Sequence, residues 1–146
     1  MKRTLIASAL LAATTLTAHA ATPAADTTVV LVHGAFADGS SWEKVIPLLQ
    51  AEGLKVVAVQ NPLTSLADDV AAAKRVIDAQ TGKVVLVGHS WGGTVITEAG
   101  TSDKIKALVY VAAFAPSEGQ ASGELGKDYA VPPGIATLQA DAGGFL

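Results

Sequence analysis

The sequence predicts an α/β protein: an open, mostly parallel sheet with helices on both faces. Three observations carry that prediction. TVVLV (28–32), KVVAV (55–59), KVVLV (83–87) and KALVYVAAFA (106–115) are continuous apolar runs, rich in β-branched residues and without in–out alternation. Strands of that texture are dry on both faces, as parallel strands sandwiched between helices are. The segments between the runs carry helix-start signals instead. Finally, 50% of the 146 residues are hydrophobic and only 16% charged, which excludes a disordered polymer and supports a single buried core.

The elements follow in order. MKRTLIASALLAATTLTAHA (1–20) reads as a signal peptide. Lys2 and Arg3 form its basic end, Leu5 to Ala18 an apolar stretch too short to span a bilayer comfortably, and Ala18-His19-Ala20 the small-residue cleavage pattern. Cleavage is expected after Ala20, so the mature protein is periplasmic or secreted. Losing Lys2 and Arg3 takes the net charge from −3 for the whole sequence to −5. Residues 21–26 are a polar linker with Pro23, residues 27–115 the α/β core, and residues 116–146 the start of a lid or a loop region.

Within the core, Ser40 and Glu43 form a capping box ahead of WEKVIPLLQAEG, with a bend or restart expected at Pro47 and a C-cap at Gly53. Ser65 and Asp68 repeat the capping pattern. Leu66, Val70, Ala73 and Ile77 then share one face, with Asp68, Asp69, Lys74, Arg75 and Asp78 expected in solvent. A third helix is expected to start at the serine of GHSWGG and to end near Gly100. The order is β-α-β-α-β-α-β with four parallel strands. Past Pro116 the chain holds six glycines and Pro132-Pro133, and one short helix is expected around Ile135–Ala140.

Composition removes several functions. The sequence pI of about 5.5 gives no footprint for nucleic acid or an anionic membrane. With no cysteine, thiol chemistry and disulfides are excluded, and three histidines without ligand spacing argue against a metal site. Phosphate-cradling glycine motifs do not fit, and no cofactor is expected. A small-molecule substrate is the expected partner.

What remains is Gly88-His89-Ser90-Trp91-Gly92, a G-x-S-x-G between a predicted strand and a predicted helix. Such a turn lifts the serine hydroxyl above the sheet, and glycine at 88 and 92 avoids a clash where strand and helix come close. Ser90 is the candidate nucleophile. LVHGAFADGSSW (31–42) follows the first strand at the same carboxyl edge, where open α/β sheets bind ligands. Acyl transfer needs N–H donors aimed at the developing oxyanion. The amide of Trp91, next after the nucleophile, is one candidate. Ala35, made approachable by Gly34, is the other, with its neighbour Phe36 as the fallback. His33 is read as a loop-holding residue bonded to backbone. Phe36, Trp91 and Phe114 are candidates to line an apolar pocket, and Trp42 is read as helix packing.

Together LVHGAFADGSSW, KVVAVQNP and VVLVGHSWGG resemble the α/β-hydrolase superfamily, near its esterase and hydroxynitrile-lyase-like branch, over about residues 27–118. The resemblance implies a partial α/β-hydrolase fold with the Lys55 strand outermost, then the Thr28, Lys83 and Lys106 strands. It implies that Ser90 is the nucleophile and that Ala35 and Trp91 form the oxyanion hole, with no metal or cofactor. In that family the order is nucleophile, acid, histidine. No histidine follows His89 here. Some members draw their acid from just after the fourth of these strands, which singles out Glu118, although without a histidine to orient it reads as a solvated loop carboxylate. The chain is therefore expected to be the N-terminal portion of a serine hydrolase of small ester-like substrates, lacking its triad histidine and inactive on its own. The Lys106 strand (106–115) is expected to be an open edge through which the chain could form oligomers. Two alternatives stand beside this one. A hydroxynitrile-lyase-like enzyme would cleave mandelonitrile, and an inactive fragment or binding module would leave Ser90 unlabelled by a fluorophosphonate.

Overall fold

Ser65 accepts a hydrogen bond from the Asp68 N–H (3.1 Å), and the Asp68 carboxylate accepts from the hydroxyls of Ser65 and Thr64, both at 2.7 Å. This reciprocal cap starts α2, Leu66–Asp78, at the residue the sequence marks. The Ser65 and Thr64 hydroxyls hold the Asp68 carboxyl below its ordinary range. At the other end the Lys104 ammonium donates to the carbonyls of Asp78 (2.7 Å) and Gln80 (2.6 Å), placing a cation where the helix dipole is negative.

The computed structural model describes residues 26–117 and 119–144. The expected signal peptide (1–20), linker residues 21–25 and Glu118 lie outside them. Strands β1 (Thr27–Val32), β2 (Lys55–Ala58), β3 (Lys83–His89) and β4 (Ile105–Val111) form one parallel sheet in the order β2-β1-β3-β4. That is the expected order. In register, Leu31 lies opposite Ala58 and Val87, and His89 opposite Val111.

Both faces of the sheet are covered, as the unbroken apolar runs require. On one face Val30, Val32, Val84 and Leu86 pack beneath α2 and α3 (Trp91–Ala99) through Ala73, Ile77, Val95 and Ile96. On the other, Val29, Leu31 and Val87 pack against Trp42, Ile46 and Leu49. Each fully buried aliphatic side chain contributes about 2 kcal/mol. Trp42 is helix packing, as its sequence context suggested.

Several details differ from expectation. The segment 39–51 restarts at Pro47 as expected, but its first part is not an α-helix capped by Ser40. Asp38 caps a 3-10 turn, Gly39–Trp42, by accepting from the Ser40 N–H at 2.7 Å. The α1 helix runs only over Ile46–Ala51. Pro47 is the cause: with no N–H and a ring that opposes the preceding turn, it is tolerated only in a first turn. Gly53, at φ +77°, then ends α1, with the Gly53 and Leu54 amides donating to Gln50 and Leu49. β4 stops at Val111, short of Ala115, because Ala112 turns to φ +41°. The expected helix at 135–140 is one turn, Pro133–Ala136, started by the preset φ of Pro133.

β4 is an edge strand and Val109, Tyr110 and Val111 remain well exposed.

Candidate active site

The chain leaves β3 at His89 and enters α3 at Trp91, so Ser90 alone makes the corner. It does so at φ +52°, ψ −119°, backbone that a residue with a Cβ adopts only under constraint. The constraint comes from packing. A Cβ on Gly88 would lie 2.4 Å from the Gly92 carbonyl oxygen, and one on Gly92 would lie 2.5 Å from that of Val32. The Ser90 carbonyl accepts from the amides of Gly93 (3.0 Å) and Phe114 (3.1 Å), which ties the corner to the segment after β4. Ser90 is the N-cap of α3, yet its hydroxyl makes no capping bond. A hydroxyl that declines its usual local partner is left available for another.

The loop after β1 comes close to this corner. A Cβ on Gly34 would sit 3.1 Å from Ser90 Cβ. Ala35 follows, and its N–H finds no acceptor among the described residues. The Trp91 N–H, at the first position of α3, has no intrahelical partner. The structure therefore brings Ala35, Ser90 and Trp91 to one edge of the sheet.

His33 is fully buried. Its Nε2 accepts from the Asn61 N–H (3.0 Å), so the ring proton sits on Nδ1, which donates to the Gly34 carbonyl (2.9 Å). Both nitrogens are occupied, and His33 holds the loop. The exposed His89 ring meets Trp42 edge-on, with centroids 6.3 Å apart.

A cleft of about 580 Å³ opens beside the corner, lined by Ala35, Phe36, Leu63, Leu66, Asp69 and Trp91 among others. Phe36, 70% exposed, forms part of its rim. Phe114 is not brought to this cleft: it lines a second one of about 540 Å³ with Tyr129, Val131 and Ile135. Among the described residues no group of three or more His, Asp or Glu side chains could hold a metal ion.

Asp69 corrects the sequence reading most sharply. Expected in solvent, it is 1% exposed. Its carboxylate accepts from the Leu63 N–H and from the Trp91 indole N–H, both at 2.8 Å. The signal was present: 66, 69, 73 and 77 follow helical spacing, so position 69 falls on the buried face. Its charge hid it. Leu63, at φ +58°, was also missed, because nothing local requires a leucine to adopt that backbone.

A model of the alpha/beta hydrolase family matches residues 29–145. Salicylic acid-binding protein 2 of Nicotiana tabacum is 38% identical over 102 residues, covering 60% of this chain and 39% of that protein. Methylesterase 8 of Arabidopsis thaliana is 35% identical over 102 residues, covering 60% of this chain and 38% of its own length. Among solved structures, an extracellular alpha/beta-hydrolase from a Paenibacillus species is similar with a TM-score of 0.56 and 28% identity. The match covers 62% of this chain and 42% of that one. The chain thus spans about two fifths of the length of the curated relatives it matches.

Proposed function

The chain belongs to the alpha/beta hydrolase family, and from that premise we propose that it is a serine hydrolase of small, ester-like substrates with Ser90 as nucleophile. The observation that carries the reading is the Ser90 corner: a strained serine whose hydroxyl and whose neighbouring Ala35 and Trp91 amides find no partner among the described residues, with a largely apolar cleft lined by Ala35 and Trp91. The resemblance to a methylesterase supports an ester as substrate.

In the proposed reaction the Ser90 Oγ attacks the ester carbonyl carbon and gives its proton to a base. The carbonyl oxygen becomes an oxyanion held by the Ala35 and Trp91 amides. Collapse breaks the bond to the alcohol, which leaves with the proton from the base, and water then hydrolyses the acyl-serine. We infer that neither described histidine is the base: His33 spends its lone pair on Asn61, and the exposed His89 ring makes no hydrogen bond to Ser90 among the described residues. We assign the base to chain outside these 146 residues. The acid comes either from the same source or from Glu118. The leader pattern at 1–20 supports export, as does the extracellular relative. No helix among the described residues is long and apolar enough to cross a membrane.

The test is p-nitrophenyl acetate turnover by the protein expressed from its full reading frame. Saturable hydrolysis abolished by Ser90→Ala is the expected result. Hydrolysis that survives that substitution unchanged overturns the assignment.

The exposed β4 edge supports a second proposal, that residues 21–146 alone self-associate through it. Sedimentation velocity is expected to show concentration-dependent dimers that Val109→Lys disperses. A monomer at all concentrations would refute this pairing.

A further inference from the structure

We propose that Asp69 is a positioning residue that braces the two backbone amides beside Ser90, that of Trp91 through its indole and that of Ala35 through the loop after β2. The proposal rests on the reading of those amides as oxyanion donors.

The hydrogen bonds form a continuous strut. The Trp91 indole N–H donates to Asp69 Oδ2 (2.8 Å), and the Leu63 N–H donates to Asp69 Oδ1 (2.8 Å). Pro62, with its φ locked, joins Leu63 to Asn61. The Asn61 N–H donates to His33 Nε2 (3.0 Å), and its side-chain amide to the His33 carbonyl (3.3 Å). His33 Nδ1 donates to the carbonyl of Gly34, the residue before Ala35. Asp69, Asn61 and His33 are all buried, so water does not compete strongly for these bonds.

A carboxylate is a poor space-filler at such a place. Asp69 forms no ion pair with any described residue, and its burial is tolerable only through charge-assisted bonds and the positive end of α2. Both segments it grips are strained: Leu63 lies at φ +58° and Ser90, the neighbour of Trp91, at φ +52°. Such backbone persists only where the surroundings over-determine it. Among the described residues Asp69 is the one side chain bonded to both segments, and Ala35, Asp69 and Trp91 line the same cleft.

The experiment is amide and indole hydrogen exchange by NMR on the ¹⁵N-labelled full chain. Asp69→Asn keeps the shape but not two acceptor oxygens. It is expected to speed exchange of the Trp91 indole, the Leu63 amide and the distant Asn61 amide by about tenfold, and to shift the Ala35 amide resonance. Asp68→Asn, on the exposed cap, and Ile77→Val, on the buried face of the same helix, are expected to leave all four unchanged. Unchanged Asn61 exchange and an unmoved Ala35 amide in Asp69→Asn would overturn the proposal. If that variant does not fold, Trp91→Phe keeps a ring, removes the donor and must likewise speed exchange at Leu63 and Asn61; unchanged rates there overturn it equally. Failure of the Ser90→Ala turnover test would instead remove the hydrolase reading while leaving the exchange result standing.

Discussion

Residues 21–146, purified alone, are expected to hydrolyse p-nitrophenyl acetate no faster than their Ser90→Ala variant. A serine hydroxyl at its free pKa is a weak nucleophile, and removing the partner that takes its proton costs on the order of a millionfold in turnover. Among the described residues His33 accepts from Asn61 at 3.0 Å, and His89, whose ring lies edge-on to Trp42, makes no hydrogen bond to Ser90. If the amides of Ala35 and Trp91 are the oxyanion donors we propose, a weak, non-saturable background is the expected remainder. A saturable rate lost on Ser90→Ala would mean that a base exists within these residues, and His89, turned from Trp42 toward Ser90, would be the first to examine by substitution to glutamine.

Gly88→Ala is expected to destabilise the protein by about 3 kcal/mol. The added methyl would sit 2.4 Å from the Gly92 carbonyl oxygen, 2.6 Å from its carbon and 2.8 Å from the Gly93 nitrogen. All three are backbone atoms, so no side chain can swing aside. Either β3 and α3 separate, which opens the core beneath Val95 and Ile96, or the Ser90 corner relaxes. Gly126→Ala, with nothing within 4 Å of the new methyl, is the matched control and is expected to be near neutral. Urea unfolding of the two variants measures the difference, and equal midpoints would mean that strand and helix are not as close as 2.4 Å implies.

The serine corner was legible in the sequence because its physics is local. A β-branched run, a glycine on each side of the turn and a helix start specify a sharp strand-to-helix corner without reference to the rest of the chain. The same holds for the Ser65–Asp68 cap and for the four strands, whose lack of alternation already says that both faces are covered. Where a local rule met a competing local rule, the reading slipped: the Ser40–Glu43 pattern suggested a helix start that Pro47 does not permit, and Asp38 capped the turn instead.

Which groups meet across the sheet edge was a different matter. Asp69 is solvated by charge and buried by periodicity, and only the approach of Trp91 and Leu63, which supply its two donors, decides between them. Phe36 and Phe114 were plausible walls of one pocket, yet they line separate clefts. Local preferences act over three or four residues along the chain, and so strands, caps and the elbow can be read in one dimension. A buried carboxylate or a shared cleft depends on segments distant in sequence, such as Trp91 and Asp69, coming within hydrogen-bond reach, and that is set by strand order and by the packing of α2 and α3 on one face.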